Sequence, residues 1–156
     1  MKSNFAVTVA RVNATWQVRA FNDDYSSLKR SIDAVRTLRA EGAAFAMLSI
    51  EDDYFVLVRP TPQGVKLLIS DATAATEDDF AADILDELDA DQPDPEDTPY
   101  AEGDFDILAD LGLSEQIMSI ITDETDWWAS EQLQRIAEEL GFDDELGFDD
   151  ELEQAL

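Results

Sequence analysis

With 156 residues and 45% hydrophobic content, the chain is long enough for one ordinary domain with a small addition. It has no cysteine and no histidine, which excludes disulfide frameworks, the usual zinc sites, cysteine nucleophiles and every acid–base scheme built on imidazole. The net charge of −27 is unevenly placed: residues 1–70 hold nine Lys/Arg and seven Asp/Glu, whereas residues 71–156 hold thirty acidic residues and one basic one, Arg135. That asymmetry points to an acidic interaction surface or solvated tail attached to a near-neutral domain, and away from direct contact with nucleic-acid phosphates. No charged-then-apolar leader and no apolar run of ~20 residues is present, so a soluble, cytoplasmic protein is expected.

In chain order, Phe5–Val12 alternates in the manner of a strand, and Thr15–Phe21 alternates again after Asn13-Ala14. The pair predicts a β-hairpin with Trp16 and Val18 on one face and Arg19 on the other. Asn22-Asp23-Asp24 ends it, and a helix capped at Ser26 or Ser27 follows, with Leu28, Ile32, Val35 and Leu38 on one stripe and Gly42 at its end. Lys29, Arg36 and Arg39 read as a solvated basic face, with Arg36 and Arg39 placed to meet the negative end of the helix dipole.

Ala43–Ile50 is a third strand. Glu51-Asp52-Asp53 turns into the most apolar part of the chain, the runs Tyr54–Val58 and Val65–Ile69 around Pro60-Thr61-Pro62-Gln63-Gly64. These runs predict an antiparallel hairpin covered on both faces, at the middle of the sheet. The three carboxylates of 51–53 are turn formers by their setting, because hard-cation loops need ligands at alternating positions and a following glycine. A helix is then expected over 77–89, capped by Thr76, with Phe80, Ile84, Leu85 and Leu88 as its apolar stripe.

Residues 91–103 combine three prolines with repelling carboxylates and read as a linker. Three short helices should follow: Phe105–Leu111, stopped by Gly112; a second capped by Ser114 and carrying Ile117, Met118, Ile120 and Ile121; and a third from Asp126 to Leu140, closed by Gly141-Phe142. Trp127 and Trp128 open the third helix. Adjacent helix residues cannot face the same way, so one is expected in the core and the other exposed, where it serves either a partner contact, at which tryptophan is enriched, or the packing of the helix on the domain. The tail repeats Gly-Phe-Asp-Asp-Glu-Leu at 141–146 and 147–152, which reads as a tandem duplication or as a short acidic-hydrophobic docking motif used twice.

The element order is strand, strand, helix, three strands, helix, then helices. It predicts an α+β fold with a five-stranded antiparallel sheet in the order 2-1-5-4-3, a profilin- or longin-like topology, plus a C-terminal helical appendage. The corresponding division is a sheet domain over 1–90, an acidic linker over 91–103, a three-helix appendage over 104–142 and an acidic tail over 143–156.

Several segments together resemble a known family. They are the Phe5–Val9 opening, Glu51-Asp52-Asp53-Tyr54-Phe55 leading to Val58-Arg59, the stretch Leu68–Ala75, Leu108-Ala109-Asp110-Leu111-Gly112, and the Ile136…Leu140-Gly141-Phe142 ending. In order and spacing they resemble the actinobacterial tRNA adenosine deaminase-associated proteins. The resemblance implies association with the enzyme that converts adenosine to inosine in tRNA, and it carries no catalytic residues to transfer.

The chain cannot be that deaminase, because zinc deaminases need His and Cys ligands. It has no phosphate-binding glycine loop, and no cofactor or metal is expected. The reading is a non-catalytic protein that binds a basic partner, with the tRNA deaminase as candidate, through its acidic half. Trp127, Trp128, Phe142 and Phe148 are the candidate contact residues. The alternative is a nucleic-acid mimic competing for a tRNA- or DNA-binding surface; a carboxylate-dependent enzyme is a more distant third reading.

Overall fold

The strands Ala44–Ile50 and Tyr54–Thr61 form the centre of a six-stranded antiparallel sheet. A computed structural model describes residues 5–12, 15–21, 28–37, 43–51, 53–124 and 127–143. The strands are β1 (Phe5–Val12), β2 (Thr15–Ala20), β3 (Ala44–Ile50), β4 (Tyr54–Thr61), β5 (Gly64–Ile69) and β6 (Glu102–Gly103), and the helices are α1 (Leu28–Thr37), α2 (Asp79–Glu87), α3 (Glu115–Thr122) and α4 (Ala129–Leu140). Phe45–Ile50 and Tyr54–Val58 are buried without interruption. Uninterrupted burial requires a cover on each face: α1 lies over β3 and β4 from one side and α4 from the other.

The strand order is β2-β1-β3-β4-β5-β6, which corrects the expected 2-1-5-4-3 and the profilin- or longin-like topology with it. The meander β3–β4–β5 forms as expected, but β3 rather than β5 joins β1, with Val7 opposite Met47 and Val9 opposite Phe45. The inner position suits β3, which is apolar on both faces. It suits β5 less well, because Lys66 interrupts that strand. The hairpin of β4 and β5 is therefore one strand off centre. Pro60 lies beyond the last β3–β4 pair, Ala46–Val58, where β4 has only β5 beside it and a missing donor costs little.

The sixth strand comes from the proline-rich stretch. The Ala72 N–H donates to the Tyr100 carbonyl at 2.7 Å, and the Asp104 N–H donates to the Leu67 carbonyl at 2.7 Å. The Asp104 carboxylate in turn accepts the Leu67 N–H at 3.0 Å. Residues 100–104 thus run along the outer edge of β5. Gly103 makes this approach possible: its φ is +128°, and a Cβ there would lie 2.3 Å from the Leu67 carbonyl oxygen.

Helix boundaries shift for local reasons. Ala72–Thr76 forms a 3₁₀ turn capped by Asp71, so α2 starts later and is capped by Asp78, not Thr76; the Asp78 carboxylate accepts the Phe80 N–H at 3.0 Å. The helix expected over 105–111 is a run of turns ending in a 3₁₀ turn at Ala109–Leu111. The closing signal of α4 forms as expected, with Gly141 left-handed at φ 94° and the Phe142 N–H donating to the Ala137 carbonyl at 2.9 Å. The expected cap positions Ser26, Ser27 and Asp126, and Leu38, Arg39 and Gly42, lie outside the described residues.

Each face of the sheet has its own core. Leu28, Val35, Phe80, Ile84 and Leu85 cover Leu48, Val56, Val58 and Ile69 on one side. On the other, Ile107, Leu108, Met118, Ile121, Leu133, Ile136 and Phe142 cover Val9, Phe45, Met47, Phe55 and Leu57. The segment from 104 to 142 therefore packs as a third layer on the sheet. The described part of the protein is α+β, with helices on both faces of an antiparallel sheet.

Candidate interaction surface

The corner between α3 and α4 is fixed from inside and apolar outside. Ser114 caps α3, accepting the Ile117 N–H at 3.3 Å. At the other end of the corner, Gln132 lies on the buried face of α4 and is 5% exposed. Its side-chain amide donates to the Ile121 carbonyl at 3.1 Å and the Glu124 carbonyl at 3.3 Å. The Ile121 carbonyl lies in the last turn of α3, where it also accepts the Glu124 N–H at 3.2 Å, and Glu124 lies just past the helix. The Trp127 N–H donates to the Glu124 carbonyl at 3.1 Å, and the Glu131 carboxylate accepts the Trp128 N–H at 2.8 Å. The chain thus enters α4 with two consecutive tryptophans directed outward.

Both are exposed, Trp127 by 39% and Trp128 by 63%, so neither is a core residue. The expected split between them fails because α4 begins only at Ala129, which leaves both tryptophans before its first turn. Ile120, one turn before the corner, is 58% exposed, while its neighbours Met118 and Ile121 face the core. Glu124 and Glu131 adjoin the tryptophans through their hydrogen bonds to the Trp127 and Trp128 N–H groups, and both are exposed, as are Glu115 and Asp123 of the same segment.

The other two candidate contact residues fare differently. Phe142 is fully buried, its ring 5.1 Å from Trp16 and 6.3 Å from Phe45, so it belongs to the core and not to a contact surface. The cap of α4 turns it inward, and the Gly-Phe pair is the only sign of this in the sequence. Phe148 lies outside the described residues.

Two further clusters complete the search for chemistry. Tyr54 is 2% exposed, and its hydroxyl donates to the Asp78 carboxylate at 2.6 Å. Burial, then that hydrogen bond, hold the phenol well above its usual range. Because Asp78 also caps α2, the pair staples the helix to β4.

An open groove of about 630 Å³ lies near the β4–β5 turn, between Ala43, Ala44, Pro60, Ala109 and four charged side chains. Those charges are mutually engaged. Arg59 forks onto Asp110 at 2.6 and 2.9 Å and also donates to the Ile107 carbonyl at 2.7 Å, and Lys66 reaches Asp106 at 3.3 Å. Hydrogen bonds from Arg59 outweigh partial desolvation and hold the Asp110 carboxyl below its usual range. The groove's cations are thus committed to fastening the third layer onto the hairpin. Among the described residues no group of three His, Cys, Asp or Glu side chains is placed to hold a metal ion, and no helix is long and apolar enough to cross a membrane.

Geometry and charge therefore describe an acidic α+β protein whose exposed large hydrophobic side chains, among the described residues, are Ile120, Trp127 and Trp128 at the α3–α4 corner. By sequence the chain belongs to the Rv3753c-like tRNA adenosine deaminase-associated protein family, whose profile matches residues 4–143. It is 46% identical over 145 residues to Protein Rv3753c of Mycobacterium tuberculosis (strain ATCC 25618 / H37Rv), an alignment covering 90% of this chain and 83% of that protein. No solved structure matches it.

Proposed function

We propose that this protein is a non-catalytic cytoplasmic accessory protein that docks on a basic protein surface through its acidic second half, with Trp127 and Trp128 as anchors. The family description makes a tRNA adenosine deaminase the first candidate partner. The observation that carries this reading is the α3–α4 corner, where Ile120, Trp127 and Trp128 stand exposed with the exposed Glu124 and Glu131 hydrogen-bonded to the two tryptophans. Exposed indoles in such a setting supply a desolvated anchor, and the surrounding charge steers a basic partner and excludes acidic ones. A surface evolved to bind RNA phosphates is cationic, so the same field would draw the tRNA-binding side of the enzyme toward this chain. The mimic reading has less support, because a phosphate mimic needs carboxylates and has no use for a paired indole.

The test is a titration of the deaminase from the same organism against the full chain at about 50 and about 300 mM salt. The steering contribution should weaken as the Debye length shortens from ~14 to ~6 Å. Trp127→Ala with Trp128→Ala should weaken binding by roughly thirtyfold, in line with the ~2 kcal/mol of a hot-spot anchor. Absence of binding at low salt excludes this partner, and binding indifferent to both substitutions excludes this surface.

A further inference from the structure

We infer that the free edge of β2 is a self-association surface, and that its occupant is the β2 of a second copy of this chain, antiparallel and centred on Val18. The inference is independent of the α3–α4 corner.

Among the described residues β2 is the last strand of the sheet, opposite the edge that residues 100–104 cover. Arg19 is its one charged side chain, and beyond that it lacks the devices that usually blunt an edge. It has no proline and no lysine, and it pairs with β1 through six consecutive residues without a bulge, from Val7–Ala20 to Val12–Thr15. Charge also permits this edge. Residues 5–20 contain two arginines, Arg11 and Arg19, and no carboxylate, in a chain of net charge −27. Two such chains repel through their acidic second halves, so a strand without carboxylates is a place where contact is less opposed.

The register follows from the hydrogen bonds inside the sheet. The Phe21 N–H donates to the Ala6 carbonyl at 2.9 Å, and the Arg11 N–H donates across to Ala43 on the β3 side at 2.9 Å. Alternation then aims residues 15, 17, 19 and 21 at β1, and leaves the N–H and C=O groups of Trp16, Val18 and Ala20 directed outward. A twofold axis through Val18 sets Val18 opposite Val18 of the second copy, and Trp16 opposite its Ala20. Every outward group of the strand is then in a pair that exchanges both bonds. Centring the axis on Gln17 instead leaves the Ala20 groups beyond the end of the opposing strand.

The Val18 register also places each Gln17 opposite Arg19 of the second copy, as a close pair that exchanges no backbone bonds. Both side chains are exposed in the single chain, so they are free to meet.

The experiment is sedimentation velocity of the full chain across a micromolar concentration series. A dimer is expected, and raising salt should strengthen it by screening the repulsion of two acidic chains, opposite to the trend for a basic partner. Ala20→Pro removes an outward N–H that the fold does not use, and should weaken the dimer at least about tenfold. Gln17→Lys sets like charges opposite each other at two symmetric places and should weaken it about fivefold, whereas Gln17→Glu should tighten it about as much. Because Gln17 is exposed, this charge pair leaves the fold intact and carries the test even if Ala20→Pro lowers stability. Val18→Cys, in a chain with no other cysteine, should give an oxidised dimer that Gln17→Cys does not. A monomer throughout the series, or a dimer indifferent to both Ala20→Pro and Gln17→Lys, overturns the inference.

Discussion

Helices α1 and α4 lie over the same two strands from opposite sides, yet they present opposite faces to water. Inward, both offer small and aliphatic residues with one polar member: Leu28, Ser31 and Val35 in α1, and Ala129, Gln132, Leu133, Ile136 and Ala137 in α4. Outward, α1 carries Lys29, Arg30 and Arg36 against the single Asp33, whereas α4 carries Glu131, Glu138 and Glu139 against the single Arg135. Each has one exposed i,i+4 ion pair, Lys29–Asp33 at 2.7 Å and Arg135–Glu139 at 3.0 Å, of the kind that contributes little to stability. The inner faces obey one requirement, burial against β3 and β4. The outer faces obey none imposed by the fold. The architecture is thus encoded in the apolar pattern, and the charge pattern can be altered separately from it.

The comparison breaks most sharply at Phe142. Truncating it to alanine should cost about 4 kcal/mol, because it opens a cavity between the end of α4, Trp16 and Phe45. Val35→Ala, under α1, should cost only about 2 kcal/mol. Urea denaturation of both variants measures the difference, and equal losses would mean that the third layer contributes no more than the first.

A smaller effect is expected at the staple between α2 and β4. Tyr54→Phe leaves the Asp78 carboxylate without its phenol donor and should cost about 2 kcal/mol at neutral pH. The sign at alkaline pH follows from the raised folded-state ionisation of Tyr54. Above pH ~10 the unfolded phenol ionises while the folded one keeps its proton, so stability falls as pH rises. Tyr54→Phe should remove that part of the alkaline loss, seen as a flatter melting temperature above pH ~10.

The smallest effect is at Asp110. Arg59 depresses its ionisation, so its contribution is present above the ordinary carboxylate range and is lost as pH falls through the folded-state value. Its side chain is 66% exposed, and screening by water keeps the contribution under about 1 kcal/mol. Asp110→Asn should shift the acid limb of the stability profile slightly and leave stability above pH ~6 lower by that same amount.

Much of the fold was legible because its signals are local. The alternation in Phe5–Val12 and Thr15–Ala20, the turn residues between Val58 and Val65, the stripe through Leu28, Ile32 and Val35, and the Gly141-Phe142 closure each specify their own neighbourhood. The strand order is different in kind. β3 and β5 are both apolar, and which of them meets β1 depends on partners distant in sequence, including the use of Tyr100–Asp104 along the β5 edge. That edge was hidden by three prolines, which speak against a strand, while the signal for it was the single Gly103.

The candidate surface was legible in part. Two adjacent tryptophans before an acidic helix marked the corner, but their joint exposure depends on α4 beginning at Ala129. Phe142 looked like a docking residue when grouped with its repeat. Only its place after the left-handed Gly141 shows that it points into the core. Gln132 was missed altogether; a glutamine among Ala129, Leu133 and Ile136 on the buried stripe is the signal that could have found it.

The three indoles are sorted by the packing described above. Trp16 is half-buried against Phe142, with the Arg11 guanidinium 5.5 Å from its ring, and Trp127 and Trp128 stand in water. A collisional quencher should therefore divide the native fluorescence into a sheltered fraction and an accessible one. The carboxylates around the corner should make caesium a better quencher of the accessible fraction than iodide. Occupation of the corner by any protein would then be readable, without a label, as the loss of that preference.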